Sequence, residues 1–323
     1  MNILVQYPEL DACAFYRTVG PYGAIKHHNV IFNRNPHYGE IRHADVFVMQ
    51  RPFTTDLLML CKEAKDYDTK LVVDFDDDFF NIPKDNPVHS LYTEENLKNV
   101  QMALQLADLV TVSTKHLRRE YAKYNENIVV IPNAIDNVLI KFRDATPSLT
   151  RVLWRGTRTH DRDVATVAKE IIGAASQFPD FEFTFLGSDP CSWALSEHIK
   201  NVKRILTPMS PFMFYQTEIM LKPRIMIAPL SDNTFNRSKS NIAALEGALA
   251  GAVTIAPDWE EWRIPGVQTY KKPSEFELIL CKLLKDPKAC EEHAKTTWDF
   301  ILNNLTLEQT NKLRVKALED LLN

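Results

Sequence analysis

The sequence predicts an α/β protein made of two Rossmann-like units in tandem, facing each other across a cleft. Three observations carry this. Short apolar, β-branched runs recur along the 323 residues and alternate with stretches of helical period, the signature of parallel strands joined by crossover helices. The alternation pauses once, over 137–150 (NVLIKFRDATPSLT), where no period survives and Pro147 intervenes, and then resumes. The length suits two domains.

In order, residues 1–6 read as a strand and 15–27 as a helix. Residues 29–32 and 44–49 (ADVFVM) read as strands, 55–65 (TDLLMLCKEAK) as a helix and 70–74 as a strand. A helix over 93–106, a strand over 109–113, a helix over 115–124 and a strand over 128–131 complete the first unit. The second opens with a strand at 151–154, followed by a helix at 164–176 and strands at 182–186 and 204–206. A helix at 211–220, a strand at 224–228, a helix at 242–250 and a strand at 253–256 follow. From 274 onward the pattern is helical. In such sheets ligands bind beyond the carboxyl ends of the strands.

Composition narrows the function. The net charge of −4 announces no nucleic-acid or membrane partner. Five scattered cysteines, none spaced as CxxC, argue against a disulfide framework and a zinc site, and fit a reducing, cytoplasmic setting. The opening MNILVQYPEL turns polar too soon for a signal peptide, and no apolar run is long enough for a transmembrane helix. Six of the nine histidines fall in residues 1–136 without the spacing of metal ligands.

Residues 71–83, LVVDFDDDFFNIP, crowd Asp74, Asp76, Asp77 and Asp78 behind an apolar run. By letter this matches a DxD metal motif, but that pattern is weak, and a solvated or helix-capping turn is the plain reading. Crowding carboxylates should raise the pKa of Asp76 or Asp77.

The stretch FNRSKSNIAALEGALAGAVTIAP (235–257) sets a polar loop before a helix carrying Glu246, which ends at Gly251 ahead of a strand. WRGTRTHDRD (154–163) follows the second unit's first strand, and IPNAID (131–136) closes the first unit. Earlier, AFYRTVGP, ADVFVMQRP, VVDFDDD and ADLVTVST appear in that order. Together these resemble the GT-B glycosyltransferases, in particular the GT4-like group that uses nucleotide-diphosphate sugars, where IPNAID is similar to the closing PNG-I-D stretch. The resemblance spans nearly the whole chain and rests on order and spacing. It implies a GT-B fold, with an acceptor-side domain over 1–140 onto which a C-terminal helix at 305–323 packs back. The nucleotide-sugar domain then covers 150–304. It implies a hexosyl- or pentosyltransferase, retaining, that needs no cofactor or metal.

The same resemblance assigns roles. Lys239 falls on the donor diphosphate, supported by Arg237 and Ser240 before a helix N-terminus, where cations and backbone N–H groups suit phosphate. Arg155 or Arg158 would hold phosphate bidentately and Gly156 would let the backbone approach. Glu246 falls on the ribose hydroxyls. Gly187, Ser188, 207–209 and Phe212 would wall the nucleobase. One departure stands out: the glutamate expected eight residues before Glu246, near the sugar, is Ser238 here. Asp76 and Asp77 are the candidate catalytic residues, holding the acceptor hydroxyl or stabilising charge on the sugar. Tyr16, Arg17 and Arg51 are candidates for acceptor or phosphate.

The acceptor stays open between a carbohydrate or other small hydroxyl compound and a hydroxymethylated DNA base. Scarce glycine, nine in all, fits a phage-type member. Residues 1–136 hold 19 acidic against 14 basic residues, which weighs against DNA despite the patch KHLRREYAK (115–123). A nucleotide-sugar epimerase and a non-catalytic binding protein are the other classes.

Overall fold

A computed structural model describes residues 1–143, 147–148, 150–178 and 180–323. The expected linker at 137–150 falls partly outside these, at 144–146 and 149; its beginning is a short helix, Asn137–Ile140. The chain forms two compact units. The first holds Met1–Asp136, Arg237–Ser240 and Leu305–Asn323, and the second Asn137–Asn236 and Asn241–Asn304.

The first unit is built on a parallel sheet of six strands: β1 (Asn2–Gln6), β2 (Asn29–Phe32), β3 (Val46–Gln50), β4 (Lys70–Phe75), β5 (Leu109–Val112) and β6 (Ile128–Val130). Their order is β2-β1-β3-β4-β5-β6. Every residue of β3 (VFVMQ) is buried, as are all but the first of β4 (KLVVDF). A strand covered on both faces has no reason to alternate, which is why these read as continuous apolar runs. The edge strand β2 (NVIF) does alternate. Thr54, Thr93 and Thr114 start the helices Thr55–Asp66, Glu94–Leu106 and Lys115–Tyr121 by accepting from the backbone N–H three residues on.

Residues Leu305–Asn323 return to this unit. Backbone bonds join Ile135 to Leu305 (2.9 Å) and Leu307 to Ile135 (3.0 Å), and Asn311 Nδ2 donates to the Pro21 carbonyl (2.8 Å). Leu318 of the helix Leu307–Leu322 is buried with Ile3, Val5, Val46 and Val48.

The second unit has strands β7 (Arg151–Gly156), β8 (Glu182–Gly187), β9 (Asn201–Ile205), β10 (Ile225–Ile227), β11 (Val253–Pro257) and β12 (Gln268–Tyr270), in the order β12-β11-β10-β7-β8-β9. The order turns back between β7 and β10, a topological switch point beyond whose carboxyl end ligands bind in such sheets. Its core packs Val152, Trp154, Phe183, Phe185, Ile225 and Ile255.

Several elements differ from the expectation. The helix at 15–27 is broken: Ala12–Ala14 is α-helical, Phe15–Val19 is a π turn and Gly20–Gly23 is α-helical again. Pro21 has no N–H to give to a continuous ladder. The helix at 164–176 is two, Asp161–Ala165 and Ala168–Gln177. The helices Ser192–His198 and Thr234–Arg237 and the strand β12 are additional. The last two are four and three residues long, too short to show a period.

Candidate functional site

The aspartate cluster begins at the carboxyl end of β4, and its members take different partners, with Arg51 shared by Asp76 and Asp77. Asp74 faces Arg17, whose Nε and Nη2 donate to its two oxygens at 3.0 and 2.8 Å. Thr111 Oγ1 donates to the same carboxylate at 2.6 Å. Arg17 Nη1 donates to the Ile131 carbonyl (2.6 Å) and to Asn133 Oδ1 (3.0 Å). The π turn aims Arg17 at β4, and the guanidinium is 1% exposed. Tyr16 is buried beside it. Tyr16 and Arg17, expected at acceptor or phosphate, thus lie inside the first unit. The arginine is engaged at Nε, Nη1 and Nη2 inside the first unit, as a buried cation must be.

Asp76 and Asp77 lie past the end of β4 and remain partly open, at 12% and 20% side-chain exposure. Arg51, just past β3, reaches across to them. Its Nε and Nη2 donate to Asp76 at 2.5 and 2.6 Å, Nη2 lies 3.6 Å from Asp77, and Nη2 also contacts Cys13 Sγ at 2.9 Å. Arg51 sits at φ +51°, a left-handed conformation that a non-glycine residue adopts only where the surroundings enforce it, at a cost of about 1–3 kcal/mol. Its guanidinium also lies 5.7 Å from the Phe79 ring centroid. Lys239 Nζ donates to Asp77 Oδ1 at 2.7 Å.

Burial alone would raise the Asp76 carboxyl, but Arg51, then Arg17 and Lys239, hold it below its ordinary range. The upward shift expected from crowding is not found at Asp76: the cations outweigh burial. Burial by itself would lower the Arg51 guanidinium, and Asp76, Cys13 and Asp77 raise it instead. Asp78 is the member that burial raises. It caps the 3-10 turn Phe79–Asn81, accepting from Phe80 N and from Asn81 Nδ2 (2.7 Å). Among the described residues no group of three His, Cys, Asp or Glu side chains is placed to hold a metal ion.

The loop before the helix Ile242–Leu249 is held on the first unit although the chain on either side belongs to the second. Thr114 Oγ1 donates to the Ser238 carbonyl (3.1 Å) and Asn133 Nδ2 to Ser240 Oγ (2.8 Å). Arg237 is exposed at the end of Thr234–Arg237. The structure thus brings Lys239 and Ser240 to Asp77 and Asn133.

A second constellation lies in the second unit. Arg155 is the penultimate residue of β7, at the switch point, and its Nη2 pairs with Glu246 Oε2. Glu246 is 3% exposed, so it is not a surface helix glutamate. Glu218, on the helix Pro211–Leu221, places Oε1 3.8 Å from Arg155 Nε and is 1% exposed. Neither Glu218 oxygen has a hydrogen-bond partner among the described residues. Burial, then the Glu246 charge, pushes the Glu218 carboxyl well above its usual range; Arg155 opposes this but does not reverse it. The sequence reading passed over Glu218, and the signal was there. It is the one charged residue in the otherwise uncharged helix PFMFYQTEIML.

Beside this group, Gly156 and Gly187 are register partners at the ends of β7 and β8. Gly187 has φ +100°, and a Cβ there would stand 2.3 Å from the Gly156 carbonyl oxygen, so only glycine fits. Ser188 N donates to that oxygen at 2.9 Å. Asp163 was also unforeseen. It accepts from Ser231 N (2.8 Å) and Asn236 Nδ2 (2.9 Å) and contacts His160 Nδ1 (2.8 Å), joining the 154–163 stretch to residues 231–236.

No family model matches the sequence, and no curated protein matches it. Solved structures do match in fold. The chain aligns over 99% of its length with all of HepE from Anabaena, solved with UDP and glucose, at 13% identity and TM-score 0.65. It aligns over 99% of its length with 88% of sucrose-phosphate synthase from Thermosynechococcus elongatus, at 12% identity and TM-score 0.64. It aligns over 88% of its length with the pneumococcal O-GlcNAc transferase GtfA, solved with UDP and GlcNAc, at 13% identity and TM-score 0.61. The chain spans 59% of GtfA and 58% of another such structure, TarM. Two parallel six-stranded Rossmann-like sheets shared with these structures make this a GT-B fold.

Proposed function

We propose that the protein is a glycosyltransferase that takes a sugar from a nucleotide-diphosphate donor, with UDP as the nucleotide to test first, and passes it to a hydroxyl acceptor with retention. The observation that carries this is the Arg155–Glu246 pair at the β7/β10 switch point of a GT-B fold. One partly buried cation and one buried carboxylate are held where a ligand of such a sheet binds. A guanidinium suits the diphosphate, bidentately, and a carboxylate suits two ribose hydroxyls. In the free protein the two form an ion pair. Several matched structures were solved with UDP, which supports the choice of nucleotide.

The first unit supplies the transfer chemistry in this reading. Arg51 fixes Asp76 as a carboxylate, and Lys239 holds Asp77. A fixed carboxylate stabilises positive charge developing on the sugar as the bond to the leaving nucleotide breaks. Asp77 would accept from the acceptor hydroxyl. A small hydroxylated compound is the acceptor this supports, since residues 1–136 hold 19 acidic against 14 basic residues.

The test is a thermal-shift screen of nucleoside diphosphates and nucleotide sugars on wild type, Lys239→Ala and Asp77→Asn, with transfer followed by release of the nucleoside diphosphate. A ligand at about 100 times its Kd adds about 2.7 kcal/mol of stability. One nucleotide should stabilise wild type strongly and Lys239→Ala less. Asp77→Asn should keep that stabilisation while losing about 10²–10⁴ in turnover. A wild type that no nucleotide stabilises sinks the reading.

A further inference from the structure

We propose that Glu218 is a positioning residue of the donor site: a carboxylic acid kept protonated behind Arg155, whose ionisation would recapture the guanidinium and weaken nucleotide binding. The inference rests on the donor-site reading above.

The geometry is one guanidinium among two buried carboxyls. Glu246, 3% exposed, takes Arg155 Nη2 directly. Glu218, 1% exposed, stands 3.8 Å from Nε, too far for a hydrogen bond. An ionised carboxylate in the interior demands hydrogen-bond donors, and Glu218 has none among the described residues. A neutral acid tolerates that position far better. The groups that act on it are Glu246, from the helix Ile242–Leu249, and Arg155, from β7; its own helix, Pro211–Leu221, contributes no other charge. With Glu218 protonated, Arg155 and Glu246 balance. With it ionised, the site carries one uncompensated negative charge beside the place a diphosphate must enter.

The balance of charge sets the role. A diphosphate draws Arg155 toward itself, away from carboxylates. A neutral Glu218 lets it go; an ionised Glu218 competes for it and repels the incoming anion. Donor binding is therefore linked to a proton on Glu218, and affinity should fall as pH rises through the pKa of that acid. Such linkage can reach about tenfold in Kd per pH unit.

The experiment measures UDP binding by calorimetry from about pH 6.5 to 9.5 for wild type and Glu218→Gln. Each protein is normalised to its own affinity at the lowest pH, so that titration of UDP itself cancels. Wild type should lose affinity with pH more steeply than Glu218→Gln, the two curves diverging by tenfold or more. Parallel curves overturn the proposal and leave the donor site standing. Absence of UDP binding to wild type at every pH overturns the donor-site reading, and this proposal with it. Infrared spectroscopy of wild type provides the check should the variant fail to fold. A protonated carboxylic acid band must persist at neutral pH and give way to carboxylate on raising the pH, at a lower pH without UDP than with it; a spectrum with no such band overturns the proposal.

Discussion

Arg17 and Asp74 form the most deeply buried ion pair of the first unit, with side-chain exposures of 1% and 3%. Removing one partner of such a pair leaves a buried charge uncompensated, which costs about 3–5 kcal/mol. Arg17→Ala and Asp74→Asn should each lower the unfolding free energy by that order in a denaturant titration. The double variant should recover part of the loss, because it strands no charge. Losses that simply add would show the two side chains to be independent. The contrast with Arg51 is instructive. Its pair with Asp76 is slightly open, strained at φ +51° and shared with Cys13 and Asp77. Both arginines follow strands of one sheet, and burial is what separates them: Arg17 is 1% exposed and Arg51 15%. No pattern of letters distinguishes them.

At the scale of elements, the turns between strands and helices carry the site. Gly187 adopts φ +100° with the Gly156 carbonyl pressed against it. Gly187→Ala combines a disfavoured backbone with a clash and should destabilise by more than about 1 kcal/mol. It should weaken UDP binding beyond that loss of stability, since Arg155 is adjacent to Gly156 in β7. A fully stable variant in thermal unfolding would refute the close approach. Strands and long helices were legible from the sequence because burial on both faces imposes continuous apolar runs, and one buried face imposes the helical period. The π turn at Phe15–Val19, the split after Ala165 and the three-residue β12 were not, since each is decided by local ladder breaks or by an already formed neighbour. Thr54, Thr93 and Thr114 marked their helix starts in plain letters.

For the whole molecule, two carboxyls shifted in opposite directions shape the dependence of stability on pH. Asp76 is held low in the fold, so its contribution is present above its unfolded value of about 3.9 and is lost as pH falls through the folded value. Glu218 is held high, so the fold is favoured below its ordinary value of 4.5, and that advantage is lost as pH rises toward the folded value. Unfolding midpoints across pH should therefore decline more gently on the acid side for Asp76→Asn than for wild type. Glu218→Gln should gain on wild type as pH rises above 4.5. Curves parallel to wild type in either variant would remove that carboxyl from the balance.

The sequence by itself determined the class of fold, the tandem of two sheets, the position of Glu246 on a helix behind a polar loop, and the nearness of the aspartates to a strand end. All of these follow from periodicity and from spacing along one segment. Only the tertiary structure decided which aspartate meets which cation. Asp74 and Arg17 are 57 residues apart, Asp76 and Arg51 25, and Asp77 and Lys239 162. It also decided that Glu218 shares Arg155 with Glu246. The reason is physical: a carboxyl's pKa and its role are set by the charges and the burial around it, and those come from residues distant in the chain that a parallel sheet gathers at its carboxyl edge.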